Sequence, residues 1–159
     1  MSATGSRQGY VHGTAVVVGE TGILIRGESG SGKSALALAL MEAATRQGLF
    51  TRLVGDDRVQ LTASADRLMV KGHPAIAGLI EERGTGILPV RHEPAAIVRC
   101  VVDFAGNEGF SGQTRLPETG DRRVRIEGID LPRMMLSAGM PIPEAARRIL
   151  AYLTSKWAK

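Results

Sequence analysis

The stretch GESGSGKS at 27–34 constrains this chain more than any other. It has Gly-x-x-x-x-Gly-Lys-Ser spacing, it follows the β-rich run "ILIR", and it leads without a break into "ALALALMEAATRQG". A strand, a glycine-rich turn and a helix in that order read as a phosphate-binding loop (P-loop). Its backbone N–H groups point inward, and the helix turns its positive N-terminus toward the phosphates. Gly27, Gly30 and Gly32 let the backbone curl tightly. Lys33 reaches for the β- and γ-phosphates, and the Ser34 hydroxyl suits a magnesium ion. With Glu28, Ser29 and Ser31 at the variable positions, 27–34 is the expected nucleotide-binding segment.

The 159 residues suffice for one domain with a hydrophobic core, and 43% hydrophobic with 23% charged content is an ordinary globular balance. Aromatics are 4%, so the apolar mass is aliphatic and favours an α/β core. The charge of +4 raises nucleic acid as a partner, but the basic residues are scattered. Their densest group, "DRRVRIEG" (121–128), is broken by Asp121 and Glu127 and has no aromatics to stack bases, so nucleic acid is set aside. Cys100 is the sole cysteine, which excludes an internal disulfide and a cysteine zinc cluster. No stretch has the apolar length of a signal peptide or a membrane span, so the expectation is a cytoplasmic protein with no membrane partner.

Along the chain, 1–8 reads as a flexible tail. "TAVVV" and "ILIR" around "GETG" form a hairpin. A helix follows Lys33 as far as Gly48, with Leu36, Leu40 and Met41 facing a core. The segment 50–63 is strand, acidic pair, strand, and 66–74 continues the β pattern. "AIAGLIEERGTGILPV" (75–90) is a helix or strand edge with a glycine-rich loop, and 95–104 is a strand. The segment 105–121 is loop by composition, and 122–136 gives one strand or two. Ile142, Ala145, Ala146, Ile149, Leu150, Leu153 and Trp157 fall on one face of an amphipathic C-terminal helix. No repeat or linker divides the chain. The expectation is a single α/β domain over 1–159, a mixed β-sheet flanked by helices around the loop.

Further candidates follow from residue type and place. Asp56 and Asp57 in "GDD" end a short strand, where a carboxylate can hold a metal or accept a proton; a solvated turn has the same chemistry. Glu81 and Arg83 stand beside Gly84 and Gly86, as an active-site wall or as a surface ion-pair turn. His12 lies on or beside the first strand, where a lone histidine is more often structural than catalytic. His73 and His92 show no metal-ligand spacing.

Taken in order, "HG" (12–13), "GESGSGKS" (27–34), "LVGDDRV" (53–59) and "GHPAIAGLIEERGTGIL" (72–88) resemble the catalytic domain of the HPr kinase/phosphorylase family. Ile80, Glu81, Arg83, Gly84, Gly86 and Ile87 are in register with the family signature Ile-Glu-Ile-Arg-Gly-Leu-Gly-Ile, and "IDLPRMMLSAGMPIPEAARRI" resembles its final strand, loop and helix. The resemblance covers about residues 10–155. It implies a fold similar to that of phosphoenolpyruvate carboxykinase, and ATP- and magnesium-dependent phosphorylation of a serine on HPr. HPr is the phosphocarrier protein of the sugar phosphotransferase system. Phosphorolysis, with inorganic phosphate consumed and pyrophosphate released, is the implied reverse reaction. The resemblance makes Asp56 the general base, with His12 close by to set its protonation. Ser34 and Glu81 serve magnesium, Asp57 assists the metal site, and Arg83 stabilises the transferring phosphoryl group.

The chain begins almost at the catalytic core, like a short, α-proteobacterial-type form lacking the N-terminal domain of longer members. The resemblance also implies a homo-oligomer, of unassigned size. Glu82 and Thr85 stand where the common signature has Ile and Leu, and Met140 stands near an arginine that longer members use for phosphorolysis. Two other classes share the loop: a small-molecule kinase or ATPase, and a non-catalytic nucleotide sensor.

Overall fold

Two β-branched runs meeting at Gly19 (φ 63) form the first hairpin, β2 (Thr14–Val18) against β3 (Thr21–Arg26). The computed structural model of the chain describes residues 9–105, 122–137 and 139–157, with side chains of the last helix through Ser155. The expected tail at 1–8, most of the loop at 105–121 and the side chain of Trp157 lie outside the described residues.

The first helix, α1 (Lys33–Arg46), follows β3, and Gly48 (φ 78) ends it as expected. The Gly48 and Leu49 N–H groups return to Thr45 and Ala44 carbonyls to close that end. Next come β4 (Thr51–Gly55), β5 (Arg58–Ser64) and β6 (Arg67–Gly72). A two-residue turn with positive φ at Ala65 and Asp66 joins β5 to β6, as the twist of a tight hairpin requires. The ambiguous stretch 75–90 is a hairpin, β7 (Leu79–Glu82) with β8 (Gly86–Pro89), preceded by a short 3-10 turn. Then follow β9 (Ala95–Phe104), β10 (Arg123–Ile126), β11 (Ile129–Leu136) and the helix α2 (Ile142–Trp157).

The main sheet runs β1-β5-β6-β9-β3-β2-β4, where β1 is Val11–His12; β11 also pairs with β9, and β10 with β11. It is mixed, with β3, β9 and β11 parallel to one another. Alternating side chains of β2 and β3 serve two cores. Val16, Val18, Ile23 and Ile25 pack with Leu36, Leu40 and Met41 of α1 and with Ala145, Ala146, Ile149, Leu150 and Leu153 of α2. Ala15, Val17 and Leu24 face the other way, onto Val54, Val59, Leu68, Val70 and Val101. Among the described residues both helices therefore lie on one face. The sheet covers its other face by curling over itself, which local periodicity does not specify.

The curl brings β6 against β4 with no room for side chains. A Cβ on Gly72 would stand 2.2 Å from the Val54 carbonyl oxygen and 3.4 Å from the Gly55 Cα. Gly72→Ala is therefore expected to destabilise the fold by about 1–3 kcal/mol, because backbone must move. Thermal unfolding checks this, at about 2–4 °C per kcal/mol for a chain of this size.

The three parallel strands matter most for function. Their registers align Arg26 with Asp103 and Leu136 with Phe104, so all three end at the same edge of the sheet. The loop 27–32 after β3 and residues 139–141 after β11 open on that edge, where ligands bind in sheets of this kind.

Candidate active site

A cleft of about 690 Å³ lies at this edge, within the range of small-molecule sites. Ser29, Gly30, Ser31, Gly32, Lys33 and Ser34 line it, and so do Asp56, Asp57, Glu81 and Arg83. Gly27 and Glu28 form the root of the loop, outside the lining. Three segments separate in sequence are thus gathered at one place.

Two of the loop's turns are made by positive-φ glycines, Gly30 (φ 83) and Gly32 (φ 108). Gly32 is also the N-cap of α1 and offers no side chain to the helix's free N–H groups, and the first turn holds no acidic residue. The positive end of α1 is left for an external anion. Ser31 Oγ is buried without a hydrogen-bond partner among the described residues, as a hydroxyl awaiting such an anion would be. Phe104 packs beneath the loop, 3.1 Å from where a Cβ on Gly27 would stand, so Gly27 is a steric requirement. Lys33 is buried, and its Nζ donates to the Gly27 and Glu28 carbonyls at 2.9 and 3.0 Å.

The two neighbouring aspartates have opposite surroundings. Asp56 is 5% exposed. Its Oδ1 accepts from Ser34 Oγ at 2.6 Å and Thr14 Oγ1 at 2.9 Å, and its Oδ2 accepts from the Glu81 N–H at 3.1 Å. Asp57 has its side chain 59% exposed, with His12 Nδ1 3.7 Å from its Oδ1. His12 is thus set against Asp57, where the resemblance had set it beside Asp56. Asp57 adopts φ 69, and the Arg58 N–H closes a γ-turn around it onto the Asp56 carbonyl at 2.7 Å. A γ-turn with positive φ is rare and strained, and such turns cluster at functional sites.

The β7–β8 hairpin forms the opposite wall. Ile80 anchors it in the helix-side core, while Glu81 and Arg83 are exposed. The Arg83 guanidinium lies over the loop, its Nη2 3.8 Å from where a Cβ on Gly30 would stand, and no ion pair engages it among the described residues.

Beneath the loop is a cluster that no motif announced. Arg26 Nε and Nη2 donate to the two oxygens of Asp103, each at 2.8 Å, and Arg133 Nε stands 2.9 Å from Oδ2. The two-pronged pairing staples β3 to β9, and the ion pair with Arg133 ties in β11. Asp103→Asn is expected to cost about 1–3 kcal/mol, below the value for a fully buried pair because both arginines are partly exposed. A lowered melting temperature, with residual nucleotide binding below it, is the result to look for.

Mixed sheet, strand–glycine loop–helix and adjoining carboxylates together define an α/β protein with a polar cleft at the ends of its parallel strands, onto which a helix N-terminus opens. The chain belongs to the family described as HPr Serine kinase C-terminal domain, whose model matches residues 4–95. The HPr kinase/phosphorylase of Mycoplasma mycoides subsp. mycoides SC is 39% identical over 142 residues, covering 80% of this chain and 42% of that protein. The HPr kinase/phosphorylase of Xylella fastidiosa strain M12 is 41% identical over 156 residues, covering 91% and 45%. The chain therefore spans less than half the length of these relatives. The fold is shared with the solved Hpr(Ser) kinase/phosphatase of Coxiella burnetii, at a TM-score of 0.71 and 22% identity, over 94% of this chain and 99% of that one.

Proposed function

We propose that this chain is an ATP- and magnesium-dependent protein-serine kinase acting on HPr, with phosphorolysis as the reverse reaction. One observation carries the reading: the loop 29–34 and Asp56, Asp57, Glu81 and Arg83 line a single cleft. In this reading the loop is a P-loop on a fold like that of phosphoenolpyruvate carboxykinase, and the protein is cytoplasmic and homo-oligomeric. Nucleic acid has no part in it.

Phosphoryl transfer asks a protein for positioning and charge stabilisation more than for covalent chemistry. Held in the cleft, a magnesium ion would supply positive charge against the phosphates during transfer. No group of three or more His, Cys, Asp or Glu side chains among the described residues can hold a metal alone. That agrees with magnesium, which takes one or two protein ligands and completes its shell with phosphates and water. Ser34, backed by Asp56, with Glu81 across the cleft, is the fitting donor set.

The geometry favours a division of labour opposite to the one the resemblance implied. Asp56 is 5% exposed and three donors already occupy most of its acceptor sites, which leaves an incoming serine little access to it. Asp57 is exposed, lines the cleft and has His12 beside it to orient its carboxylate. Asp57 therefore accepts the serine proton in the forward direction and returns it in the reverse. Lys33 and the N–H groups of the loop hold the phosphates, and Arg83 meets the charge on the transferring group. Met140 lines the cleft and contributes no charge to a phosphate there.

The test is to incubate the purified chain with ATP, magnesium and HPr of the same organism and to look for phosphoserine by mass spectrometry. Phosphoserine on HPr supports the reading, and adding inorganic phosphate to the product then tests the reverse direction. ATP turnover without HPr points to a small-molecule kinase or ATPase, and binding without turnover to a sensor.

A further inference from the structure

Thr14 opens a strand whose other residues are Ala and Val, and it has no solvent exposure at all. A hydroxyl at that depth needs a partner, and valine would fill the same volume without the need. Its Oγ1 donates to Asp56 Oδ1 at 2.9 Å and in turn accepts from the Asp57 N–H at 3.5 Å. The residue before it ties the other side of the turn, since the Gly13 N–H donates to the Asp57 carbonyl at 3.1 Å.

We propose that Thr14 is a positioning residue for the carboxylate pair, acting through Asp56 on the magnesium side of the cleft; this rests on the reading of the cleft given above. Of the three donors on Asp56, Ser34 is the one whose oxygen also serves the metal, and the Glu81 N–H belongs to an exposed hairpin. Thr14 sits on a strand paired on both sides, β2 between β3 and β4, and its β-branched side chain is stiff about χ1. It is absent from the cleft lining, so it touches no ligand and acts by fixing where Asp56 points. The strained turn at Asp57 persists because its neighbours hold it, and Thr14 with Gly13 are those neighbours.

Calorimetric titration of ATP, with magnesium and with chelator, tests this without any transfer step. Thr14→Val is expected to lose about 10- to 100-fold of the magnesium-dependent affinity while its affinity in chelator stays within about threefold, the scale of outer-shell substitutions at metal sites. Thr14→Ser restores the affinity, and in an Asp56→Asn background Thr14→Val costs little, because the two act as one unit. If Thr14→Val does not fold, Thr14→Ala carries the same comparison. Wild-type affinity in Thr14→Val, or an equal loss with and without magnesium, overturns the proposal. A wild-type protein whose ATP affinity ignores magnesium refutes the reading of the cleft, and the Thr14 role falls with it, a result distinct from an ordinary Thr14→Val.

Discussion

Asp57→Asn is expected to lower transfer to the acceptor serine by about 10²- to 10⁴-fold in kcat, the usual contribution of a positioned proton acceptor. Its affinity for MgATP is expected to stay close to that of the wild type. Asparagine is the right replacement because, like aspartate, it tolerates the left-handed conformation at φ 69, so the γ-turn survives and only basicity is lost. Asp56→Asn carries the opposite signature. Its NH2 replaces one acceptor oxygen and must face either the Glu81 N–H, which can only donate, or the Thr14 and Ser34 hydroxyls, which must then turn their protons away, so the support of Ser34 is disturbed. Magnesium-dependent binding weakens before proton transfer does. Single-turnover transfer set against calorimetric affinity separates the two. Transfer intact in Asp57→Asn but lost in Asp56→Asn at unchanged affinity would restore the division the resemblance implied.

That contrast also marks how far the sequence could be read. GDD showed two carboxylates at a strand end, and nothing local separates them. Their difference comes from Thr14 and Ser34, 42 and 22 residues away, both donating to Asp56. The loop, the first hairpin, α1, β9 and α2 were legible because each rests on spacing, turn chemistry or periodicity within a dozen residues or so. The β7–β8 hairpin was ambiguous because "AGLIEERG" is too short for its period to choose between helix and strand. Helices on one face alone were not legible, because the cover of the other face is made by Val59, Leu68 and Val70 through the curl. The Arg26–Asp103–Arg133 staple was silent for the same reason: Arg26 and Asp103 are 77 residues apart. Thr14 left one usable trace, a lone hydroxyl in a run of buried aliphatics two residues after His12.

Lys33→Met is expected to separate stability from function. Lys33 is 6% exposed and its ammonium has two backbone carbonyls for company, with no carboxylate contact among the described residues. Removing a buried charge of that kind in favour of an unbranched apolar chain is often neutral or stabilising. The protein without nucleotide should therefore melt no lower than the wild type. The phosphates, however, lose the one cation inside the loop, and a pre-placed charge of this sort is worth about 10²–10³ in kcat. Arginine is no substitute, because its planar fork does not reproduce the compact ammonium that donates to the two carbonyls. The measurement is thermal unfolding with and without MgATP, since a ligand that binds only the native state raises the melting temperature. The wild type should gain protection and Lys33→Met should gain little. A Lys33→Met protein that ATP still protects fully would mean that the N–H groups of the loop hold the phosphates unaided, leaving the lysine as a brace that draws the Gly27 and Glu28 carbonyls together.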